Sequence, residues 1–255
     1  MQPLPFKQGL SWFLAALVVI RHYHLTYLGM VMFYVLISVL LSSVPLVGGI
    51  LAGIWMPFGT LLLVYATKQA LEGRLPTYDL FFSLFRKPKL RSSLMTLGLV
   101  YAAGLQFAIW IFFYFGKDAF KVLEAEETAQ IPDFQMPWDA FSVSMVIYLI
   151  VVTLTLFSPL LQADAGQKLG KSIFSSFLGI VLQWRACLCA GACYLGLGML
   201  ILVFFYTSFT LLGLGSFFGY LAPIYVAVIT GVGYAMIWPM YSDIYGAKGG
   251  ITHAE

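Results

Sequence analysis

Ser42-Ser43-Val44-Pro45-Leu46-Val47-Gly48-Gly49 stands near the middle of residues 25–67, a run that contains no Asp, Glu, Lys or Arg. About 20 apolar residues cross a hydrocarbon core, so this run holds two crossings, and its serines, proline and glycines mark the hairpin between them. Read instead as one kinked helix, the run would be roughly twice as long as a membrane is thick. Three further stretches, 92–116, 140–163 and 186–242, are equally free of charge and by length hold one, one and two crossings. The last turns at residues 207–215, where Gly213 and Gly215 sit. The expected fold class is therefore all-α. It is a polytopic membrane helix bundle forming a single membrane domain over 1–255, with spans near 25–43, 46–66, 94–115, 141–161, 186–206 and 217–241.

Composition agrees, since 61% of residues are hydrophobic and only 10% charged, with a mean hydropathy of +0.90. Soluble domains are about a quarter charged and could not cover such a surface with polar groups.

Positively charged loops are retained in the cytoplasm, and six spans put the N-terminus, the loops 67–91 and 164–185, and the C-terminus on one side. Twelve of the fourteen basic residues fall there: Lys7, Arg21, Lys68, Arg74, Arg86, Lys87, Lys89, Arg91, Lys168, Lys171, Arg185 and Lys248. The opposite side receives the loop 117–139, where Lys117 and Lys121 are outnumbered by Asp118, Glu124, Glu126, Glu127, Asp133 and Asp139. Both termini are accordingly expected in the cytoplasm and the acidic loop outside. Anionic headgroups account for the dispersed basic residues, so nucleic acid is not an expected partner.

Within residues 8–22 the uncharged run 8–20 is too short to span, and Arg21-His22-Tyr23-His24 stands where a signal-peptide cleavage site would need small residues. An interfacial helix is expected instead, anchored by Trp12 and Arg21. A second is expected at 170–185, where Ile173, Phe174, Phe177, Leu178, Val181 and Trp184 recur at helical spacing opposite Lys171, Ser175 and Ser176. Phe174, Phe177, Trp184 and Arg185 are its expected anchors. The two segments share Gly-x-Ser-x-Phe, as Gly9, Ser11, Phe13 and Gly170, Ser172, Phe174. A shorter version, residues 80–85, precedes Arg86 and Lys87, two further anchor candidates. Three units of interfacial helix plus two spans form the expected repeat.

The Ser11-Trp12-Phe13 start, the Pro45-Leu46-Val47-Gly48 hairpin, Pro57 inside the second span and the aromatic-then-basic segment 84–91 carry a resemblance. On these positions most of the chain resembles a family of proteobacterial six-span inner-membrane proteins without an assigned activity, distantly similar to the YciC-type proteins. The resemblance implies a bacterial inner (cytoplasmic) membrane location and no activity. The acidic loop has no counterpart in it.

Reactive chemistry is sparse. His22, His24 and His253 are the only histidines, and the His-x-His pair has no Cys, Asp or Glu near it in sequence to complete a metal site. Cys187, Cys189 and Cys193 match no zinc or iron–sulfur spacing and are expected to be small packing residues. His-Glu-x-x-His, Gly-x-Ser-x-Gly and P-loop motifs are absent, and no expected span contains an ionisable Asp, Glu, Lys, Arg or His. No catalytic residue, metal or cofactor is expected, and ion-coupled transport is disfavoured.

The spans do carry small residues at helical spacing, Gly49–Gly53, Ala192–Gly196, Gly215–Gly219 and Ala227, Gly231, Ala235, which let helices approach closely. The expected function is thus a non-catalytic membrane protein, an accessory subunit, assembly factor or scaffold, whose partners are the lipid bilayer and other membrane proteins or further copies. The alternative is a transporter or lipid-handling protein, favoured by the repeated units and by Pro57 in mid-span.

Overall fold

The computed structural model of the chain describes residues 3–79, 82, 86–125, 136–211 and 218–246, and among them it is helical without strands. The helices are α1 (Gln8–Ser42), α2 (Gly48–Leu71), α3 (Pro88–Ala125), α4 (Trp138–Thr155), α5 (Ser158–Ala163), α6 (Leu169–Leu182), α7 (Trp184–Leu211) and α8 (Phe218–Tyr245). Six segments are long and apolar enough to cross a membrane: α1, α2, Pro88–Lys117 of α3, α4 together with α5, α7, and Ala222–Tyr245 of α8. The protein is a multi-pass transmembrane helix bundle.

Side-chain bonds tie the bundle together at one end. Gln8 Nε2 and Trp12 Nε1 at the start of α1 each donate to Asp243 Oδ2 near the end of α8, both at 2.6 Å. The Tyr65 hydroxyl of α2 donates to Asp164 Oδ1 beyond α5 at 2.5 Å, and Ser93 Oγ of α3 donates to Gln162 Oε1 at 2.7 Å. The first residues of α1 and the last of α8 therefore share an end, as an even number of crossings requires. At the other end Ser144 Oγ donates to the Ala108 carbonyl at 2.5 Å, and the α1–α2 hairpin turns through Leu46 at φ 67°.

Burial is uneven. α2 and α8 are the most enclosed spans, α4 and α7 the least. The deepest side chains, among them Trp12, Tyr27, Met30, Leu61, Leu62, Leu63, Phe157 and Trp238, fill the space around α1, α2 and α8. Small residues set the closest approaches. Gly9 lies against the Ala186 carbonyl and the Ala190 backbone nitrogen of α7, with no room for a Cβ. Gly53 meets Ala102 of α3 in the same way, and Gly231 faces Ile20, Leu28 and Val31 of α1.

Four expectations are corrected. Residues 8–22 form a helix that a kink at Tyr23 (φ −121°, ψ 29°) separates from the first span, but Trp12, expected as an anchor, is 1% exposed. Its indole is held by Asp243 inside the bundle, so it does not anchor the chain at headgroups; the outward residues of this half are Leu10, Leu14 and Val18. Residues 170–185 do form a separate helix, α6, ended by Gln183 (φ −109°, ψ 25°), but Ser176, expected on its outer polar face with Lys171 and Ser175, is buried. Ser172, Ser176 and Gly179 point into the protein while Phe174, Phe177 and Val181 point out of it. The physical reason is that a helix against hydrocarbon turns its polar stripe inward, where hydroxyls find partners. The fourth span is broken at residues 156–157 instead of continuous. Finally, α3 continues to Ala125, so the first part of the acidic loop is helix; residues 126–135 lie outside the described residues, as do 80–81, 83–85, Gly213, Gly215 and His253.

Gly9→Val should wedge α1 from α7 and lower the stability of the detergent-solubilised protein by roughly 1–3 kcal/mol, the usual cost of overpacking. Gly196→Val, at a position where a Cβ meets nothing within 4 Å, should leave the melting temperature unchanged. Equal melting temperatures for the two variants would show that the Gly9 contact does not hold the helices.

Candidate functional site

Every span crosses a medium without water, so a crevice between spans must be lined by groups that tolerate hydrocarbon or bond one another. One such crevice, a cavity of about 840 Å³, lies between α2, α3, α4, α7 and α8. Its lining surface is largely apolar, and Thr60, Thr153, Thr155 and Thr230 with Tyr101, Tyr148, Tyr194 and Tyr234 supply its hydroxyl groups. α4 and α7 both line it yet scarcely touch one another, and they are the two least buried spans. The cavity consequently opens sideways between them, toward the surround that their exposed Leu149, Ile150, Leu195 and Met199 face.

Proline chemistry shapes two of its walls. Pro57 lines the cavity within α2; having no N–H, it leaves the Gly53 carbonyl without its helical donor, and Gly98 of α3 admits that carbonyl closely. Pro159 sits in the first turn of α5, just past the break after α4. At that break the bond that would run from the Phe157 N–H to the Thr153 carbonyl is replaced by one side chain. The Phe157 N–H donates to Ser176 Oγ at 3.1 Å, and Ser176 Oγ donates to the Thr153 carbonyl at 2.9 Å. The Ser176 hydroxyl thus splices the interrupted span, which explains why α6 turns its serines inward. Ser172 Oγ similarly accepts from Gln162 Nε2 at 2.9 Å.

Tyrosines gather beside the cavity from five spans. Tyr34 and Tyr234 share a hydroxyl–hydroxyl bond of 2.8 Å, with the Tyr34 hydroxyl also on Met56 Sδ at 2.5 Å and its ring against Gly59. Tyr101, Tyr148 and Tyr194 line the same cavity as Tyr234. None of these was singled out from sequence, although the signal was present: each stands near the middle of a span.

The residues expected to carry function are dispersed. Arg21, Arg86, Lys87, Phe174, Phe177, Trp184 and Arg185 are exposed, and the Arg185 guanidinium lies 5.5 Å from the Trp184 ring centre. Gly49 packs under Gln106, while Ala227 and Ala235 are buried on α8. Ala192 and Gly196 instead face outward on α7, and among the described residues a Cβ at Gly196 would meet nothing within 4 Å, because α7 turns Tyr194 and Gly198 toward α8. The surroundings of Gly219, like Gly215 itself, lie outside the described residues. Cys187 lines the cavity, Cys189 is buried and Cys193 half-buried, all as free thiols. His22 Nδ1 bonds the Val18 carbonyl at 3.0 Å, and His24 is exposed.

Ser176→Val should leave the Phe157 N–H and Thr153 carbonyl unpaired and destabilise the protein by about 1–3 kcal/mol, whereas Ser176→Thr should retain most of the stability. Thermal melts of both variants in one detergent check this; a Val variant as stable as the Thr variant would deny the splice. Comparison with protein-family models, curated proteins and solved structures finds no significant match to the chain.

Proposed function

We propose that this is a non-catalytic, lipid-handling protein of a bacterial inner membrane that takes an apolar molecule from the bilayer into its central cavity through the gap between α4 and α7. The single observation behind this reading is the 840 Å³ apolar cavity with a lateral mouth, a volume in the range that holds drug- or lipid-sized ligands. Both termini are cytoplasmic in this proposal, because the basic residues cluster at the end of the bundle that carries the start of α1 and the end of α8. The interfacial-helix repeat belongs to the same proposal. Matching backbone conformations at Tyr23 and Gln183, each between a short helix and a span, support its first and third units.

A second reading, an accessory subunit, assembly factor or scaffold, rests on the outward small-residue face of Ala192 and Gly196, which suits close approach of a partner helix.

Gly191 lines the cavity and a Cβ there meets nothing within 4 Å, so Gly191→Trp should extend its ring into the cavity and plug it. Mass spectrometry of protein extracted in mild detergent should detect a bound lipid in the parent and a large loss of it in the variant. An unchanged lipid complement would sink the cavity reading, and a stoichiometric protein partner retained by both would favour the scaffold. A C-terminal reporter active only outside the cell would reverse the proposed orientation.

A further inference from the structure

Tyr34, Tyr101, Tyr148, Tyr194 and Tyr234 come from α1, α3, α4, α7 and α8, and each lies close to the midpoint of its crossing. Tyr194, for instance, stands about ten residues into α7, a rise of roughly 15 Å and so half of a hydrocarbon core about 30 Å thick. Their hydroxyls therefore form a polar patch at the depth where polar groups are least tolerated.

Two of the five satisfy each other through the Tyr34–Tyr234 bond. Three remain: among the described residues the Tyr101, Tyr148 and Tyr194 hydroxyls have no hydrogen-bond partner, and all three line the cavity. Unpaired hydroxyls in hydrocarbon are costly, so three that converge on one cavity point to an occupant that bonds them. The lining also limits that occupant. It contains no Lys, Arg, His, Asp or Glu, so a phosphate, carboxylate or ammonium drawn to this depth would find no counter-charge.

Resting on the lipid-handling reading above, we propose that the cavity selects an uncharged lipid, one with a long apolar body and a hydroxyl or carbonyl end, and that Tyr101, Tyr148 and Tyr194 bind this end at mid-membrane depth. The apolar body lies along Leu97, Leu156 and Ile237 or extends through the gap between α4 and α7. Phospholipids, whose charged heads stay at the interface, are excluded from the tyrosine patch by the cost of moving that charge inward.

Three photoactivatable probes with the same diazirine-bearing acyl chain test this: a diacylglycerol, a phosphatidic acid and a free fatty acid, with a diazirine alkane as a fourth. Each is added to the full chain in lipid nanodiscs, and labelled peptides are mapped. The diacylglycerol should label α8 at residues 230–237, which include the buried Met236 and Ile237, about tenfold more than either charged probe. Tyr101→Phe, Tyr148→Phe and Tyr194→Phe combined should cut diacylglycerol labelling there by about tenfold or more while alkane labelling persists, which also reports that the cavity is intact. Equal labelling by charged and uncharged probes, or diacylglycerol labelling indifferent to the three substitutions, would overturn the selectivity and leave the cavity reading standing. Failure of all four probes, alkane included, to label 230–237 would overturn both.

Discussion

A membrane interior supplies no hydrogen-bond partner to an exposed backbone group, and the architecture follows from that constraint. It requires helices, and it makes any interruption of a helix depend on a substitute inside the protein. The splice at Ser176 is the clearest instance. Phe157 and Thr153 would exchange an ordinary helical bond if α4 ran on into α5; with the chain bent before Pro159, the Ser176 hydroxyl donates to one and accepts from the other. α6 is docked by this need, its Ser172 and Ser176 turned inward and its phenylalanines outward. Gln162, between Ser93 and Ser172, repeats the pattern one turn further on.

The same economy of polar groups divides the bundle into two unlike parts. Around α1, α2 and α8, glycines and alanines bring backbones together and large residues such as Trp12 and Trp238 fill what remains. Several polar groups there bond one another: Trp12 and Gln8 to Asp243, Tyr27 to Thr67 at 2.9 Å, Tyr34 to Tyr234. α4 and α7 belong to the other part. α7 packs on Gly9 through its first turns and on Gly233 of α8 through Tyr194, and α4 packs along α3, with Val151 against Gly104 and Ser144 on the Ala108 carbonyl, but α4 and α7 scarcely touch one another. The cavity is the space left by that separation, and its Tyr101, Tyr148 and Tyr194 hydroxyls, without a partner among the described residues, contrast with the bonded Tyr34–Tyr234 pair.

Much of this was legible in the sequence because it depends on runs of one-dimensional composition. The uncharged stretches located all six crossings, and the Ser42 to Gly49 segment located the first hairpin to within a few residues. The change of helix near Trp184 was legible too, since 170–185 has a period that a lipid-surrounded span lacks. Other features lay beyond reach. Trp12 reads as an interfacial aromatic until Asp243, distant in sequence, is placed beside it. Ser176 reads as the polar face of a surface helix until the broken bond it completes is known, and Ala192 with Gly196 reads as a packing pair although both face outward and, among the described residues, a Cβ at Gly196 meets nothing within 4 Å.

The amino-acid sequence by itself determined that the chain is an all-helical membrane bundle, with an even number of crossings and its basic residues gathered at one end. Tertiary structure alone decided which apolar face meets protein and which meets the surround, where a span breaks, and that four mid-span tyrosines converge on one cavity. The reason is that lipid tails are as apolar as Leu. In water, burial and hydropathy rise together, so an apolar stripe announces the core. In a bilayer the inward and outward faces of a span have the same hydropathy, and only the placement of the other helices tells them apart.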